Sequence, residues 1–293
     1  MAHFLIVGID GVIGAALFSQ LQSVNEVVLG STYHEEKVKH AHHLFHLNLA
    51  DPHLLQSLPK IKVKVVYLCA GIANMSLCEE HPELTKKINV IGMKKLIRYF
   101  SDAGSFVVFL SSNQIFSGQE PFVNEDMAYQ PNSEYGRQKA EVESYIKTTC
   151  RRYAIVRLTK VIGPNMRLLK DWLNKLIVNQ SVEAYHDMVF APLTLDYVIE
   201  MLLAIGYKEQ TACYQLSGPE DVSYYQLAHY MAESVMRATS LIYPVSAAER
   251  GVDIKYRPRH TTLDCSRIMS LGWKQPPHYS VIMNEAMKIG HCI

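Results

Sequence analysis

The chain has 293 residues, of which 48% are hydrophobic and 19% charged, a composition that excludes disorder as its main state and predicts one large domain or two modest ones. With 29 Lys and Arg against 28 Asp and Glu, the net charge is +1, so no strong field draws the protein to nucleic acid or to an anionic membrane. Six cysteines without metal-type spacing, and no apolar run of the ~18 residues that span a membrane, predict a reduced, cytoplasmic protein.

Short apolar runs alternate with helical patterns through the first half of the chain. Strands are predicted at residues 3–8, 26–31, 44–49, 63–71, 105–112 and 154–163, and helices at residues 12–23, 82–100 and 133–150. Continuously apolar strands that alternate with helices are typical of a parallel sheet covered on both faces. Right-handed crossovers then predict a doubly wound α/β fold.

The regular alternation weakens after Pro164. Helices are predicted at residues 165–180 and 224–239, and residues 213–218 predict a strand that returns to the sheet. We therefore expect residues 1–164, with the returning strand, to form the sheet domain. Residues 165–293 are expected to form most of a smaller lobe whose segments interleave with the sheet.

A glycine-rich turn lies between the first predicted strand and the first predicted helix. Gly8, Gly11 and Gly14 occupy positions where the backbone turns, approaches a pyrophosphate and packs helix against strand. The N-terminus of the helix attracts phosphate, so the turn predicts a dinucleotide site. Asp10 lies within it, and because a carboxylate repels a pyrophosphate, we expect the Asp10 side chain to point to solvent.

The tip of the second strand bears on the choice between NAD and NADP. An acidic residue there would bind the ribose hydroxyls of NAD. The sequence instead has Ser31 and Thr32, with Lys37 beyond, and hydroxyl and cationic groups favour a 2′-phosphate. Glu35 and Glu36 oppose this interpretation. We therefore predict NADP, with NAD still possible.

Three residues form a candidate catalytic set. Tyr135 and Lys139 are four residues apart on a predicted helix, so their side chains share a face, and Ser112 ends the fifth predicted strand. A neighbouring ammonium lowers the pKa of a phenol, which then gives a proton to a carbonyl oxygen while hydride reaches the carbon. Tyr33 and Lys37 have the same spacing but follow the second strand, on the adenosine side, and are not assigned to catalysis.

The motifs GIDGVIG (8–14), FLSSNQIFSG (109–118), YGRQKAE (135–141) and RPRHTTLD (257–264) resemble those of the extended short-chain dehydrogenase/reductases. Within that family the chain is most similar to the dTDP-4-dehydrorhamnose reductases and related sugar-nucleotide reductases, over nearly its whole length. The resemblance implies a Rossmann domain at residues 1–164 that binds NADP or NAD, and a lobe at residues 165–293 that binds a nucleotide sugar. It allows a homodimer and implies no metal.

The resemblance also assigns roles by position. Catalysis falls to Ser112, Tyr135 and Lys139, and substrate binding to Asn113 and Arg257. Cofactor binding falls to a larger set around the pyrophosphate, the adenosine and the middle of the dinucleotide: Gly8, Gly11, Val12, Ile13, Gly14, Ser31, Thr32, Asn48, Leu49, Cys69, Ala70, Gly71, Ser111 and Thr159, together with Tyr135 and Lys139.

Alternative activities of the same family stay open to different degrees. The family's 4,6-dehydratases have Asp-Glu where this chain has Asn113 and Gln114, which do not ionise, so dehydration is disfavoured. The reductases often have Asp-Tyr there, which leaves the sugar open. A sugar-nucleotide epimerase needs only the Ser–Tyr–Lys set. A non-catalytic NADP-binding regulatory subunit, such as the β subunit of methionine adenosyltransferase, also stays open, although the intact set counts against it.

A histidine cluster precedes the third predicted strand, at positions 40, 42, 43 and 46. Four imidazoles are potential metal ligands, but no cysteine or carboxylate lies in register with them. We interpret the cluster as a polar surface and predict no metal.

Overall fold

The computed structural model describes residues 2–39, 41–60, 62–162, 166–253, 255, 257–278 and 280. The described strands, in chain order, are β1 (Ala2–Val7), β2 (Val28–Thr32), β3 (Leu44–His46), β4 (Val63–Leu68), β5 (Phe106–Ser112), β6 (Tyr153–Leu158), β7 (Lys160–Ile162), β8 (Val182–Tyr185), β9 (Val189–Phe190), β10 (Pro192–Thr194), β11 (Ala212–Leu216), β12 (Val222–Ser223) and β13 (Ile242–Val245).

Seven of these strands form one large sheet in the order β11-β6-β5-β4-β1-β2-β3. The pairs of β1 with β2 and β4, of β2 with β3, and of β4 with β5 are parallel. The chain runs outward from β1 through β2 and β3, then returns to the other side of β1 as β4. Ligands bind at such a reversal, at the carboxyl ends of the strands. The predicted Rossmann-type α/β fold is therefore confirmed.

The described α-helices are α1 (Val12–Ser23), α2 (Glu35–Val38), α3 (Met75–Glu80), α4 (Pro82–Lys86), α5 (Met93–Asp102), α6 (Glu134–Thr149), α7 (Arg167–Ile177), α8 (Leu195–Lys208), α9 (Tyr224–Ser234) and α10 (Ser266–Ser270). Short 3₁₀ turns occur at Leu54–Ser57, Asn113–Ile115 and Thr239–Leu241. Within the described part of the chain, no helix is both long enough and apolar enough to cross a lipid bilayer.

One predicted helix differs from its structure. The sequence predicts a continuous helix at residues 82–100, whereas the structure has α4, a π-helical segment (Lys87–Gly92) and then α5. Asn89 lies inside that segment, and its buried side-chain amide bonds the backbone of Ile72. A π-helical turn is wider than an α-helical one. In this segment the polar Asn89 side chain points into the protein.

The chain divides into two compact units. The first, called the sheet unit, comprises Met1–Phe116, Ala128–Arg157 and Ile199–Tyr214. Its core is built from residues of the central strands and of α5 and α6, such as Leu5, Val66, Val107, Ile97 and Ile146, which are all fully buried. The strands are apolar on both faces because helices cover both faces.

The second unit comprises Ser117–Met127, Leu158–Val198 and Gln215–Ile293. Three short strand pairs support it: β7 with β10 and β8 with β13, both parallel, and β9 with β12, antiparallel. Its core contains Leu173 and Leu176 of α7 and Leu227 and Met231 of α9. The assignment of dinucleotide binding to residues 1–164 and substrate binding to residues 165–293 stays a prediction.

Candidate functional site

Three glycines of the turn after β1 are required for three different reasons. Gly8 has φ +93°, and a Cβ there would lie 2.7 Å from Ala70. Gly14 is buried in α1, and a Cβ there would clash with the Gly8 carbonyl oxygen. At Gly11, by contrast, a Cβ would meet no protein atom closer than 3.9 Å. The backbone of Gly11 is therefore open to an approaching group.

The same turn leads into the N-terminus of helix α1. Gly11 is the N-cap of the 12-residue helix α1 and contributes no side-chain cap. Amide N–H groups in the first turn of a helix lack helical partners, and with the helix dipole they attract negative charge. The turn is tied to the neighbouring strand because the Gly8 N–H donates to the Ser31 hydroxyl at 3.1 Å.

A cleft of about 350 Å³ opens in the sheet unit at the carboxyl ends of β1, β2 and β4. Eight of the predicted cofactor residues line it: Gly8, Gly11, Ser31, Asn48, Leu49, Cys69, Ala70 and Gly71. The cleft also has lining residues that the sequence did not single out as binding groups: Val7, Asp10, Tyr33, Leu47, Ile72 and Ile88. A mostly apolar cleft lined in part by a glycine turn fits the adenosine and pyrophosphate part of a dinucleotide.

Other predicted cofactor residues do not line this cleft. Val12 is half-exposed in the first turn of α1, followed by the partly buried Ile13, and Gly14 serves helix packing. Thr32 is buried, and its hydroxyl is engaged by Asp10. Ser111 is buried on β5, and its hydroxyl has no hydrogen-bond partner.

Asp10 does not behave as the sequence predicts. Its side chain turns to the tip of β2 instead of to solvent and is 24% exposed. It accepts hydrogen bonds from Thr32 Oγ1 at 2.9 Å and from the Tyr33 N–H at 2.8 Å, and it pairs with Lys37 Nζ at 2.7 Å. Partial burial opposes ionisation, but these bonds outweigh it and lower the pKa of the carboxyl. The expected solvent-facing orientation is therefore wrong, because three nearby donors satisfy the carboxylate.

Asn89 shapes the cleft and was not identified from the sequence. Its Oδ1 accepts from the Ile72 N–H at 2.7 Å, and its Nδ2 donates to the Ile72 carbonyl at 3.0 Å and to Gln138 Oε1 at 2.8 Å. Ile72 and its neighbour Gly71 line the cleft. The polar network therefore fixes the loop after β4, since every one of these bonds is buried or partly buried.

Ser112, Tyr135 and Lys139 converge within the sheet unit. Ser112 ends β5, and Tyr135 lies in the first turn of α6, which the Ser133 hydroxyl caps by accepting from the Gly136 N–H at 3.1 Å. Gly136 lets α6 begin directly against the Gln114 carbonyl, where a Cβ would clash. This close approach brings the Tyr135 phenol near the Ser112 hydroxyl, which itself donates to Asn113 Oδ1 at 3.3 Å.

Lys139 lies one turn further along α6. Its Nζ donates to the Leu110 carbonyl at 2.7 Å and lies 4.6 Å from the centre of the Phe109 ring and 5.7 Å from that of Tyr135. Burial lowers the pKa of Lys139 to about 8, partly opposed by the Glu143 carboxylate. The Lys139 charge acts to lower the pKa of the Cys69 thiol, which burial raises, and Cys69 lines the cleft. The ammonium therefore lies beside the phenol, with its charge acting on one residue of the cleft.

The expected effect of Lys139 on Tyr135 is not the dominant one. Burial raises the pKa of the Tyr135 phenol well above its usual value, the nearby Cys78 thiol adds to the rise, and the nearby Ser112 hydroxyl opposes it. The expected overall lowering of this pKa by a neighbouring ammonium is not seen, because burial dominates and Lys139 is not among the groups that shift it. Tyr135 is consequently protonated at neutral pH, as a proton donor must be.

The predicted substrate residues Asn113 and Arg257 lie in different units, and Thr159 lies in the second unit. In the sheet unit, Asn113 Oδ1 accepts from the Ser112 hydroxyl at 3.3 Å, so it lies beside the catalytic set. In the second unit, Arg257 donates through Nε to the Val252 carbonyl at 2.8 Å. Thr159, also in that unit, is buried and its hydroxyl has no hydrogen-bond partner.

Within the residues that the structure describes, no group of three or more His, Cys, Asp and Glu side chains has an arrangement that could hold a metal ion. His40, the first member of the histidine cluster, lies outside the described residues.

Comparison with known protein families gives one match over almost the whole chain. The model of the RmlD substrate binding domain matches residues 2–291. Among curated proteins, methionine adenosyltransferase 2 subunit beta of Xenopus laevis is 24% identical over 294 residues, covering 97% of this chain and 86% of that protein.

Solved structures share the fold. The dTDP-4-dehydrorhamnose reductase of Bacillus anthracis, in complex with NADP, is 19% identical with a TM-score of 0.84, covering 98% of this chain and 99% of that one. The UDP-glucose 4-epimerase of Thermus thermophilus, in complex with NAD, is 18% identical with a TM-score of 0.81, covering 99% of this chain and 98% of that one. At such identities the likeness shows the fold alone, so function has to be argued from the site.

Proposed function

The chain belongs to the RmlD substrate-binding domain family, and from this premise we propose that it reduces the keto group of a nucleotide-linked sugar, a 4-keto sugar in the first instance, with NADPH or NADH. One observation carries the proposal. Ser112 and Tyr135, whose hydroxyls are neighbours, and Lys139, one helical turn on from Tyr135, lie in the unit that contains the glycine-lined cleft. Each residue of this set has a part in carbonyl reduction.

The residues around the cleft fit a dinucleotide. Gly11 offers an open backbone and the N-terminus of α1 for the pyrophosphate, and Ser31 holds the turn in place. Asn48 and Leu49 line the part of the cleft that would take adenine, and Cys69, Ala70 and Gly71 line its middle. When bound, the dinucleotide supplies hydride to the keto carbon.

Tyr135 provides the proton. Because burial raises its pKa, the phenol keeps the Oη proton at neutral pH and gives it to the keto oxygen as that oxygen gains negative charge. The products are a hydroxyl group on the sugar and the oxidised dinucleotide. The charge of Lys139, 5.7 Å from the centre of the Tyr135 ring, then stabilises the phenolate that remains.

Ser112 orients the reacting group. Its hydroxyl lies near the Tyr135 phenol and donates to Asn113 Oδ1, and a keto oxygen placed between the Ser112 and Tyr135 hydroxyls would accept a hydrogen bond from each. Two donors fixed before the reaction stabilise the developing negative charge better than mobile water does. Asn113 beside Ser112 has an amide that cannot ionise, which agrees with reduction and not with elimination of water.

A direct assay tests the proposal. Purified full-length chain is mixed with NADPH or NADH and a panel of nucleotide-linked 4-keto sugars, and consumption of the reduced dinucleotide is followed by fluorescence. We expect at least one sugar to be turned over, and Tyr135→Phe to lower that turnover roughly 100-fold or more. Tyr145→Phe removes a phenol hydroxyl from the same helix and is the matched control, with activity unchanged. Failure with the whole panel would contradict the substrate assignment.

Epimerisation is a second activity that the same residues support, and the similar fold of an NAD-bound epimerase gives it weight. An epimerase regenerates its dinucleotide in every cycle and retains it. We therefore expect the reductase to be purified largely free of dinucleotide, and a preparation that carries a full complement of it would favour epimerisation.

A regulatory subunit is the alternative from a different class, favoured by the relatives named methionine adenosyltransferase 2 subunit beta, which match 97% of this chain. Such a subunit would bind a catalytic partner without turning over a sugar. Tyr135→Phe separates the two. It abolishes turnover in a reductase, whereas it leaves the binding of a methionine adenosyltransferase catalytic subunit, measured by size-exclusion chromatography, unchanged in a regulator.

A further inference from the structure

The residues at the tip of β2 include no Asp or Glu, but the carboxylate of Asp10, from the glycine turn, lies against this tip. Residues 31–34 of this tip are Ser, Thr, Tyr and His. Asp10, from the glycine turn, reaches across to the tip and accepts hydrogen bonds from the Thr32 hydroxyl and the Tyr33 N–H. It therefore stands where a dinucleotide-binding fold commonly places an acidic residue at the end of its second strand.

Asp10 is one of the residues around the cleft. Asp10 lines it together with Gly8, Gly11, Ser31 and Tyr33, and its side chain keeps 24% of its surface accessible. Its lowered pKa keeps it ionised at neutral pH. An ionised carboxylate only accepts hydrogen bonds, so it suits a ribose hydroxyl and opposes a phosphate.

The charges around Asp10 do not reverse this preference. Lys37 Nζ pairs with Asp10 at 2.7 Å, so its charge is already compensated. On the same short helix α2, Glu35 lies 3.9 Å from His46 and Glu36 lies 3.3 Å from His34, and both carboxylates are mostly exposed. A 2′-phosphate would have to draw Lys37 away and leave Asp10 unpaired beside it.

We infer that Asp10 determines which dinucleotide the cleft binds, accepting a hydrogen bond from the adenosine 2′-hydroxyl of NADH and disfavouring the 2′-phosphate of NADPH. This inference rests on the proposed function, since it concerns the same cleft. It favours NADH, whereas Ser31, Thr32 and Lys37 in the sequence predict NADP. The reason is that two of those three side chains are engaged by Asp10.

The experiment compares dissociation constants by isothermal titration of the full chain with NADH and with NADPH. AMP and adenosine 2′,5′-bisphosphate serve as probes of the adenosine end alone. We expect the wild-type chain to bind NADH at least tenfold more tightly than NADPH, and AMP more tightly than the bisphosphate. Asp10→Asn keeps a hydrogen-bonding side chain of the same size but removes the charge. It is expected to narrow the NADPH-to-NADH ratio about tenfold, mainly through tighter binding of NADPH.

Glu36→Gln is the matched control. It removes one negative charge from the same end of the sheet unit, but its side chain is 71% exposed and does not line the cleft. We expect the ratio of the two dissociation constants to stay within about twofold, because solvent screens exposed charges.

Two results would overturn the inference but not the proposed function. One is a wild-type chain that binds NADPH as tightly as NADH, or more tightly. The other is a ratio of NADPH to NADH dissociation constants that Asp10→Asn leaves unchanged. The wild-type ratio needs no variant, so a poorly folded Asp10→Asn chain does not remove the test. Binding of neither dinucleotide would instead overturn the proposed function, and the inference with it.

Discussion

The two ends of the candidate site, both in the sheet unit, differ in how their geometry arises. At the catalytic end, Tyr135 and Lys139 are one helical turn apart, so a local rule places this pair on one face of α6, and Ser112 is found because it ends a strand at the edge of the sheet where ligands bind. At the adenosine end, the decisive contact joins Asp10 to Thr32 and Tyr33, which are more than 20 residues away in sequence. A motif therefore predicts a site well when its residues are close in sequence. The contact of the Asp10 side chain with the residues after β2 is seen only in the structure.

The largest expected effect lies at the catalytic end. Lys139→Met removes the charge beside Tyr135 and keeps an apolar stem of similar length. We expect turnover of the keto sugar to fall roughly 100-fold or more, because the Tyr135 phenolate loses its stabilising charge. The affinity for AMP, which reports the adenosine end, should stay unchanged. A loss of AMP affinity as large as the loss of turnover would contradict the assignment of Lys139 to catalysis and not to adenosine binding.

The glycine turn offers a sharper contrast within a few residues. Gly11→Ala adds a methyl group to a backbone with φ −82° and open space around it. We expect the free energy of unfolding to change by less than about 0.5 kcal/mol, while the affinity for NADH, measured by titration, falls at least tenfold as the methyl group blocks the pyrophosphate.

Gly14→Ala is the counterpart in α1. Its added Cβ would clash with the Gly8 carbonyl oxygen, so we expect a loss of about 1–3 kcal/mol in unfolding free energy, measured by denaturant titration. Equal stability losses in the two alanine variants would contradict the separate roles given to these glycines.

The pH dependence of turnover reports the catalytic end. The pKa of Lys139 is lowered to about 8, so its charge is present below that pH and lost above it. Tyr135, whose pKa is raised, stays protonated throughout. We expect the rate to fall about tenfold per pH unit above roughly pH 8, as the charged fraction of Lys139 falls. Ser112→Ala should lower the rate at every pH without moving the midpoint. A flat profile through pH 9 would contradict the role of Lys139.

The smallest predicted effect concerns the loop between the two ends. Asn89→Ala removes the buried or partly buried hydrogen bonds of the Asn89 amide and leaves the Ile72 N–H without that partner, while the Ile72 carbonyl keeps the Cys78 thiol 3.6 Å away. We expect the free energy of unfolding to drop by about 1–3 kcal/mol, with a few-fold weaker affinity for NADH. Asn74→Ala, which removes only the exposed cap of α3, is the control and should leave that affinity unchanged.

Much of the fold was predictable because its strands are apolar on both faces and its first helices follow them directly. Helix α8 was missed although Val198, Met201, Leu202 and Ile205, all buried, have helical spacing, because further apolar residues between them, such as Ile199 and Leu203, make the run nearly continuous. The π-helical segment was missed because one inward amide, Asn89, decides it.

The candidate site shows the same division. Eight of the cleft residues follow from the glycine turn, the strand ends and the family resemblance. The orientation of Asp10 and the raised pKa of Tyr135 depend on burial and on partners from distant segments. The spacing of residues in the sequence predicts neither the orientation of the Asp10 side chain nor the pKa of Tyr135.

The transfer of deuterium tests the central claim most directly. Reduced dinucleotide deuterated at the nicotinamide C4 position is incubated with the full chain and a nucleotide-linked 4-keto sugar, and the product is examined by mass spectrometry and NMR. The account predicts deuterium on the former keto carbon with the wild-type chain, and at most a trace with Tyr135→Phe under the same conditions. A wild-type chain that binds both ligands but transfers no deuterium would contradict it.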